Sequence, residues 1–145
     1  ALIDFGTGET VVSMQNHSRF ANCALLASGK VKCFGLNSHG AAGDLGVGVA
    51  TGDYGGSAAT MGDNLPAIDL GSSFTPVMLL QGACVVGEVG DDYGVKCWGQ
   101  NSQGSLGLGD AADRGGAPSE MGDNLPVISF GDKDDLLIFH MAEEL

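Results

Sequence analysis

Short apolar runs, each bounded by glycine or by polar turn residues, dominate the chain. They form two series of four runs, at residues 10–15, 20–27, 30–34 and 65–70, and at residues 74–80, 84–89, 95–99 and 125–130. No segment shows the apolar spacing of an amphipathic helix, whereas short runs between turn signals are typical of strands. The pattern therefore predicts an all-β fold with two sets of four antiparallel strands, and four such strands are the unit of a β-propeller blade.

The two series carry the same sequence landmarks in the same order. The landmarks are MGDNLP (61–66 and 121–126), KCFG or KCWG (32–35 and 96–99), and IDFG, IDLG or ISFG (3–6, 68–71 and 128–131). Matched landmarks in one order indicate an internal repeat, and repeats of this kind are typical of solenoids, propellers and arrays.

The landmarks divide a single domain of 145 residues unevenly. Residues 1–6 are predicted to be the last strand of a preceding repeat. Residues 7–71 form the first repeat, residues 72–131 the second, and residues 132–145 a partial third. The predicted architecture is an incomplete β-propeller, with two four-stranded antiparallel blades and a partial blade strand at each end.

The recurring GDNLP segment has the chemistry of a turn that leads into a strand. Glycine permits left-handed backbone, Asp and Asn side chains bond nearby backbone N–H groups, and proline, which lacks an N–H, suits the start or the edge of a strand. We interpret it as a fixed entry into the last strand of each blade, rather than as a binding loop, because it repeats with the fold. Its residues are Gly62, Asp63, Asn64 and Pro66 in the first copy and Gly122, Asp123, Asn124 and Pro126 in the second.

The four cysteines also occupy matching places. A three-residue hairpin loop at 27–29 places Cys23 opposite Cys33, and directly opposed residues are close enough for a disulfide. Cys84 and Cys97 take the corresponding places around a longer loop, at 87–94. The recurring geometry favours two disulfides, and four buried free thiols are the alternative. A zinc site is disfavoured because neither the cysteine spacing nor a nearby histidine suits one.

Composition and charge exclude several classes of function. The chain has 18 acidic and 6 basic residues and a net charge of −12, so nucleic acid and anionic membrane surfaces are not expected partners. No apolar run is long enough to span a bilayer. The histidines are not matched between the repeats, and no nucleophile, metal-binding set or phosphate-binding loop is apparent. We therefore expect no enzyme activity, no cofactor and no metal.

The landmarks resemble the repeat of the regulator of chromosome condensation family. CALLASGKVKCFGLNSHG and VKCWGQNSQGSLGLGD are similar to that repeat, and RGGAPSEMGDNLPVISFG is similar to an extended form of it. The resemblance implies β-propeller blades. Family members fold as seven-bladed propellers. The founding member binds chromatin and is an exchange factor for a small GTPase, while other members are interaction modules. With two repeats here, no exchange-factor residue carries over to this chain.

Two blades would leave one apolar face open at each end, and exposed faces of that size mark interfaces. The matched aromatics Phe34 and Trp98 are expected to pack between blades. The candidate interface residues are Phe74, Val77, Leu79, Leu136, Leu137, Ile138 and Phe139.

We therefore expect a non-catalytic interaction module, a small structural or accessory subunit whose open blade faces or terminal strands bind other protein subunits. If the source is an alga, a photosystem complex is a plausible assembly. Disulfides favour an oxidising compartment, such as the thylakoid lumen or the outside of the cell. The alternative is a fragment of a longer seven-bladed propeller that regulates a small GTPase as an exchange factor, for which free thiols are expected.

Overall fold

The computed structural model describes residues 2–18, 20–37, 44–49 and 51–129. Within these residues the fold is all-β, with two antiparallel sheets in the orders β1-β2-β3 and β4-β5-β6-β7. The strands are β1 (Val11–Ser18), β2 (Ala21–Leu26), β3 (Val31–Gly35), β4 (Thr75–Leu80), β5 (Cys84–Val89), β6 (Asp92–Cys97) and β7 (Ile128–Ser129). Short 3-10 turns lie at Ala58–Thr60, Gly62–Asn64, Pro118–Glu120 and Gly122–Asn124. The all-β prediction is confirmed, and the two open sheets are consistent with partial propeller blades.

The first sheet has three strands where four were predicted. Its predicted fourth strand, at 65–70, reaches β3 only through a bridge between Ala67 and Lys32 and a hydrogen bond between Ile68 and Val31. The ladder cannot extend backwards, because Pro66 has no N–H to donate. It cannot extend forwards, because the chain turns after Ile68 to contact the second copy of the GDNLP segment.

The hairpin between β5 and β6 is tighter than predicted. A loop was expected at 87–94, but Val89 pairs with Asp92 and Gly87 with Gly94, so the ladder runs up to the turn. These two glycines are needed for packing. A side chain at Gly87 would meet the Phe74 ring at 2.4 Å, and one at Gly94 would meet Val127 at 2.3 Å.

Both predicted disulfides are present. Cys23 pairs with Cys33 across β2 and β3, and Cys84 pairs with Cys97 across β5 and β6. The Cα–Cα distances are 4.1 and 4.2 Å. The free-thiol alternative does not describe this structure, in which all four cysteines are bonded.

The core lies between the two sheets. It combines the inward face of the first sheet, including Leu25 and Val31, with Leu79, Val85 and Trp98 of the second. Trp98 is 1% exposed, so its expected role in packing between blades is consistent with the structure.

Two candidate interface residues are also inside this core. Phe74 and Leu79 are 6% and 4% exposed, so they are not available for docking, because the first sheet already covers them. Val77 is half-buried. The run 136–139 and the predicted partial third repeat lie outside the described residues.

The outward face of the first sheet carries a smaller cluster. Phe5 packs edge-on against Phe34, with ring centroids 5.9 Å apart, so Phe34 lies on the outer side of its sheet and not between the two sheets. Residues 2–6 pair with no strand among the residues described. Their assignment to a preceding repeat therefore stays a prediction.

Candidate functional site

A buried lysine joins two distant segments in each copy of the repeat. The Nζ atom of Lys32 donates to the carbonyl oxygens of Phe5 and Gly62 at 2.7 and 3.0 Å. Lys32 is 6% exposed, and β3 holds its side chain on the outward face of the first sheet. We call this arrangement the first junction: Lys32, the turn Gly62–Asn64, and residues 4–7.

The second junction has the same geometry. The Nζ atom of Lys96 donates to the carbonyl oxygens of Leu70 and Gly122, both at 2.8 Å. Lys96 is 3% exposed and lies 5.3 Å from the centroid of the Phe74 ring, a cation–π distance. This junction consists of Lys96, the turn Gly122–Asn124, and residues 69–72.

An aspartate carboxylate completes each junction. Asp63 accepts hydrogen bonds from the backbone N–H and the hydroxyl of Thr7, both at 2.8 Å. Asp123 accepts from the backbone N–H of Ser72 at 2.8 Å and from its hydroxyl at 3.1 Å. Each aspartate thus binds a segment far away in sequence, rather than its own turn as the sequence suggested.

The turns of the two junctions share one backbone conformation. Each is a three-residue 3-10 turn, and the residues before it, Met61 and Met121, have φ of −125° and −117°. The following leucines, Leu65 and Leu125, are each 1% exposed. Asn64 and Asn124 donate their backbone N–H groups to the methionine carbonyls, and Pro66 and Pro126 continue the chain toward the sheet.

The glycine of each turn is required twice over. Gly62 and Gly122 have φ of +64° and +66°, a region that side chains other than glycine rarely adopt. A Cβ atom there would also lie 2.7 Å from a carboxylate oxygen of Asp4, or 2.6 Å from one of Asp69. The glycine N–H groups donate to the carbonyls of the same aspartates, at 3.0 Å in both junctions.

The pKa values of two ionisable side chains in the junctions differ from their ordinary values in the directions expected from these contacts. The pKa of Asp63 lies below its ordinary value because the backbone N–H and then the hydroxyl of Thr7 stabilise the carboxylate. The pKa of Lys96 is lowered by burial, against the opposing attraction of Asp123 and Asp69. In both junctions the lysine ammonium and the aspartate carboxylate bond to groups of the chain itself.

Buried asparagines organise the loops that follow the KCFG and KCWG segments. Asn37 and Asn101 are both fully buried. The side-chain oxygen of Asn37 accepts from Leu45, while that of Asn101 accepts from Leu106. Their amide groups donate to carbonyls farther along each loop. Each buried asparagine thus bonds two positions of its loop and fixes the loop's course.

A cleft of about 520 Å³ opens between the two sheets at one end of the core. Its lining includes His17, Phe20, Asp44, Trp98, Gln100 and Ser105. His17 donates through Nε2 to the backbone carbonyl of Asp44, and its ring lies 6.0 Å from that of Trp98. Burial lowers the pKa of His17, so the imidazole is neutral at physiological pH. We call this region the inter-sheet cleft.

Other functional elements are few in the part of the chain that the structure describes. No group of three or more His, Cys, Asp or Glu residues is arranged to hold a metal there. The same residues include no helix with the length and apolar character needed to cross a membrane.

The sequence did not identify the two buried lysines as structural residues, although a usable signal was present. A lysine, Lys32 or Lys96, directly precedes the second cysteine in both copies. An exposed strand position tolerates many polar residues, so the same lysine in both copies indicates a structural role.

Comparisons with known proteins agree with the repeat geometry. No curated protein matches the chain. A model of one protein family does match part of the chain. Repeats of that family are generally found in interaction or regulatory domains without enzyme activity, which fits a protein-interaction module of the β-propeller type. Residues 18–41, which include β2, β3 and the first disulfide, match the family model described as Regulator of chromosome condensation (RCC1) repeat.

Proposed function

We propose that the chain is a non-catalytic interaction module that docks, as a structural or accessory subunit, in a larger protein assembly. The proposal rests on a difference between Met14 in the first sheet and Leu79 in the second, which occupy matching positions of their sheets. Met14 stands opposite Ala24, and Ala24 opposite Lys32. In the second sheet Leu79 stands opposite Val85, and Val85 opposite the matched lysine.

The matched positions differ in what covers them. Leu79 is 4% exposed because the first sheet packs against it, whereas Met14 is 38% exposed. Val12, two residues earlier on the same strand, is 62% exposed. Nothing among the described residues covers the outward face of β1 as the first sheet covers β4.

Two further apolar residues near the start of the described chain are also uncovered. Leu2 and Ile3 are 100% and 51% exposed, and they precede the segment that forms the first junction. Burying one such side chain contributes about 1.5–3 kcal/mol, so a few of them suffice for a stable contact. We call the set Leu2, Ile3, Val12 and Met14 the outer apolar patch, and we infer that another polypeptide covers it.

The test is purification of the tagged chain from its native source, with identification of what accompanies it. The double variant Val12→Asp with Met14→Asp should lose the accompanying protein, because each substitution places a charge in the contact. Val49→Asp is the matched control, since Val49 is 44% exposed but lies in a loop and is not part of the β1 strand. Circular dichroism checks that all variants fold.

Equal recovery of the partner with the double variant and with the control would refute docking through the outer apolar patch. The partner recovered with the unmodified chain would identify the assembly, a photosystem complex included.

A further inference from the structure

The inter-sheet cleft is built by residues that the repeat does not require. The matched pairs Gln15–Cys23 in the first sheet and Leu80–Cys84 in the second enclose residues 16–22 and only residues 81–83, respectively, because β1 and β2 continue to pair beyond Gln15 and Cys23 before the chain turns. The additional residues bring His17 and Phe20 to the cleft, and neither has a counterpart in the second copy. A feature confined to one copy is not needed for the blade fold.

The cleft is electronegative and partly apolar. Among the described residues, the carboxylate of Asp44 has no hydrogen-bond or ion-pair partner, and no lysine or arginine lines the cleft. His17 adds no positive charge, because its imidazole is neutral and donates to the Asp44 carbonyl. Phe20, 53% exposed, and Leu36 provide apolar surface at the same place.

Resting on the proposed function, we propose that the inter-sheet cleft receives an arginine side chain of the partner protein, with its guanidinium on the Asp44 carboxylate. Arginine fits better than lysine because its planar group bonds a carboxylate in a bidentate manner, is weakly hydrated and packs flat on aromatic rings. The net charge of −12 favours a basic partner in the same direction. The volume of about 520 Å³ accommodates one such side chain.

The single tryptophan makes the test direct. Trp98 lines the cleft, so its indole N–H resonance reports on occupancy without overlap from another tryptophan. The probe is a capped Gly-Arg-Gly peptide, titrated into the full chain. The matched control peptide carries citrulline, which has nearly the shape of arginine but no charge.

We expect the arginine peptide to shift the Trp98 resonance saturably at millimolar concentration, and the citrulline peptide to bind about tenfold more weakly. Asp44→Asn should weaken arginine binding by a similar factor. Asp91→Asn, at an exposed turn between β5 and β6, should leave it unchanged.

The inference would be overturned by the absence of a saturable shift, by equal binding of the two peptides, or by unchanged binding to the Asp44→Asn variant. Tighter binding of free arginine than of the capped peptide would assign the cleft to a small molecule and also overturn it. The proposed function is tested separately, because the Val12 and Met14 variants leave the cleft intact. Loss of the partner in those variants together with a silent Trp98 titration would retain docking and reject the arginine site.

Discussion

Replacing Lys96 with methionine tests the most specific structural feature of the fold, the second junction. Methionine keeps most of the side-chain length but cannot donate to the carbonyls of Leu70 and Gly122, each 2.8 Å from Nζ. A hydrogen bond to a charged group contributes about 1.5–3 kcal/mol, and the contact with the Phe74 ring adds about 0.5–2 kcal/mol. The loss is partly offset because the variant no longer buries a charge.

We therefore expect Lys96→Met to lower the free energy of unfolding by about 2–4 kcal/mol. At about 3 °C per kcal/mol for a domain of this size, the melting temperature falls by roughly 6–12 °C. Thermal and urea unfolding of the full chain measure both quantities. Lys32→Met should give a loss of similar size, because the first junction makes the same pair of bonds.

Lys30→Met is the control for this prediction. Lys30 pairs with Glu9 at the surface, where its side chain is 54% exposed, and such pairs contribute less than about 1 kcal/mol. If Lys96→Met is no more destabilising than Lys30→Met, the buried lysines do not hold the repeats together and the reasoning fails.

Three further variants test the turns of the junctions and the first disulfide. Gly122→Val should destabilise strongly, because it forces a branched side chain into positive φ and against a carboxylate, whereas Gly56→Val, in open space, should change the melting temperature little. Asp63→Asn should make the free energy of unfolding fall less steeply below about pH 4. The pKa of Asp63 is lower in the folded chain than in the unfolded one, so its carboxylate stabilises the fold fully above the unfolded pKa. That stabilisation is lost as the pH falls through the folded pKa. An unchanged acid-unfolding profile would contradict it. Replacing both Cys23 and Cys33 with alanine should cost about 2–3 kcal/mol in urea unfolding, since the closed loop is short, and an unshifted midpoint would argue against the bond in solution.

The sequence predicted most of the strands and the disulfides because those features follow local rules. The three-residue loop fixes the register of its hairpin, and that register alone sets Cys23 opposite Cys33. The period of the landmarks likewise revealed the two sheets. The loop predicted at 87–94 was wrong, because Gly87 and Gly94 are strand residues that leave room for neighbouring side chains. The sequence alone does not distinguish such glycines from the glycines of turns.

The candidate sites were harder to predict because they depend on contacts between distant segments. Asp63 was expected to bond its own turn, but Thr7, far away in sequence, offers two donors. Phe74 and Leu79 looked like open surface when each repeat was considered alone. The first sheet covers them, and only a three-dimensional arrangement shows that the uncovered positions are instead Val12 and Met14.

Hydroxyl-radical footprinting of Met14 tests most directly whether this chain functions by docking. Methionine is readily oxidised, and Met14 is 38% exposed in the chain by itself. The measurement compares its oxidation rate in the native assembly with that in the isolated chain, using the peptide containing Val49 as reference. We expect strong protection of Met14 in the assembly and an unchanged reference. Equal oxidation of Met14 in the two samples would contradict the account, because the outer apolar patch would then be uncovered where the protein works.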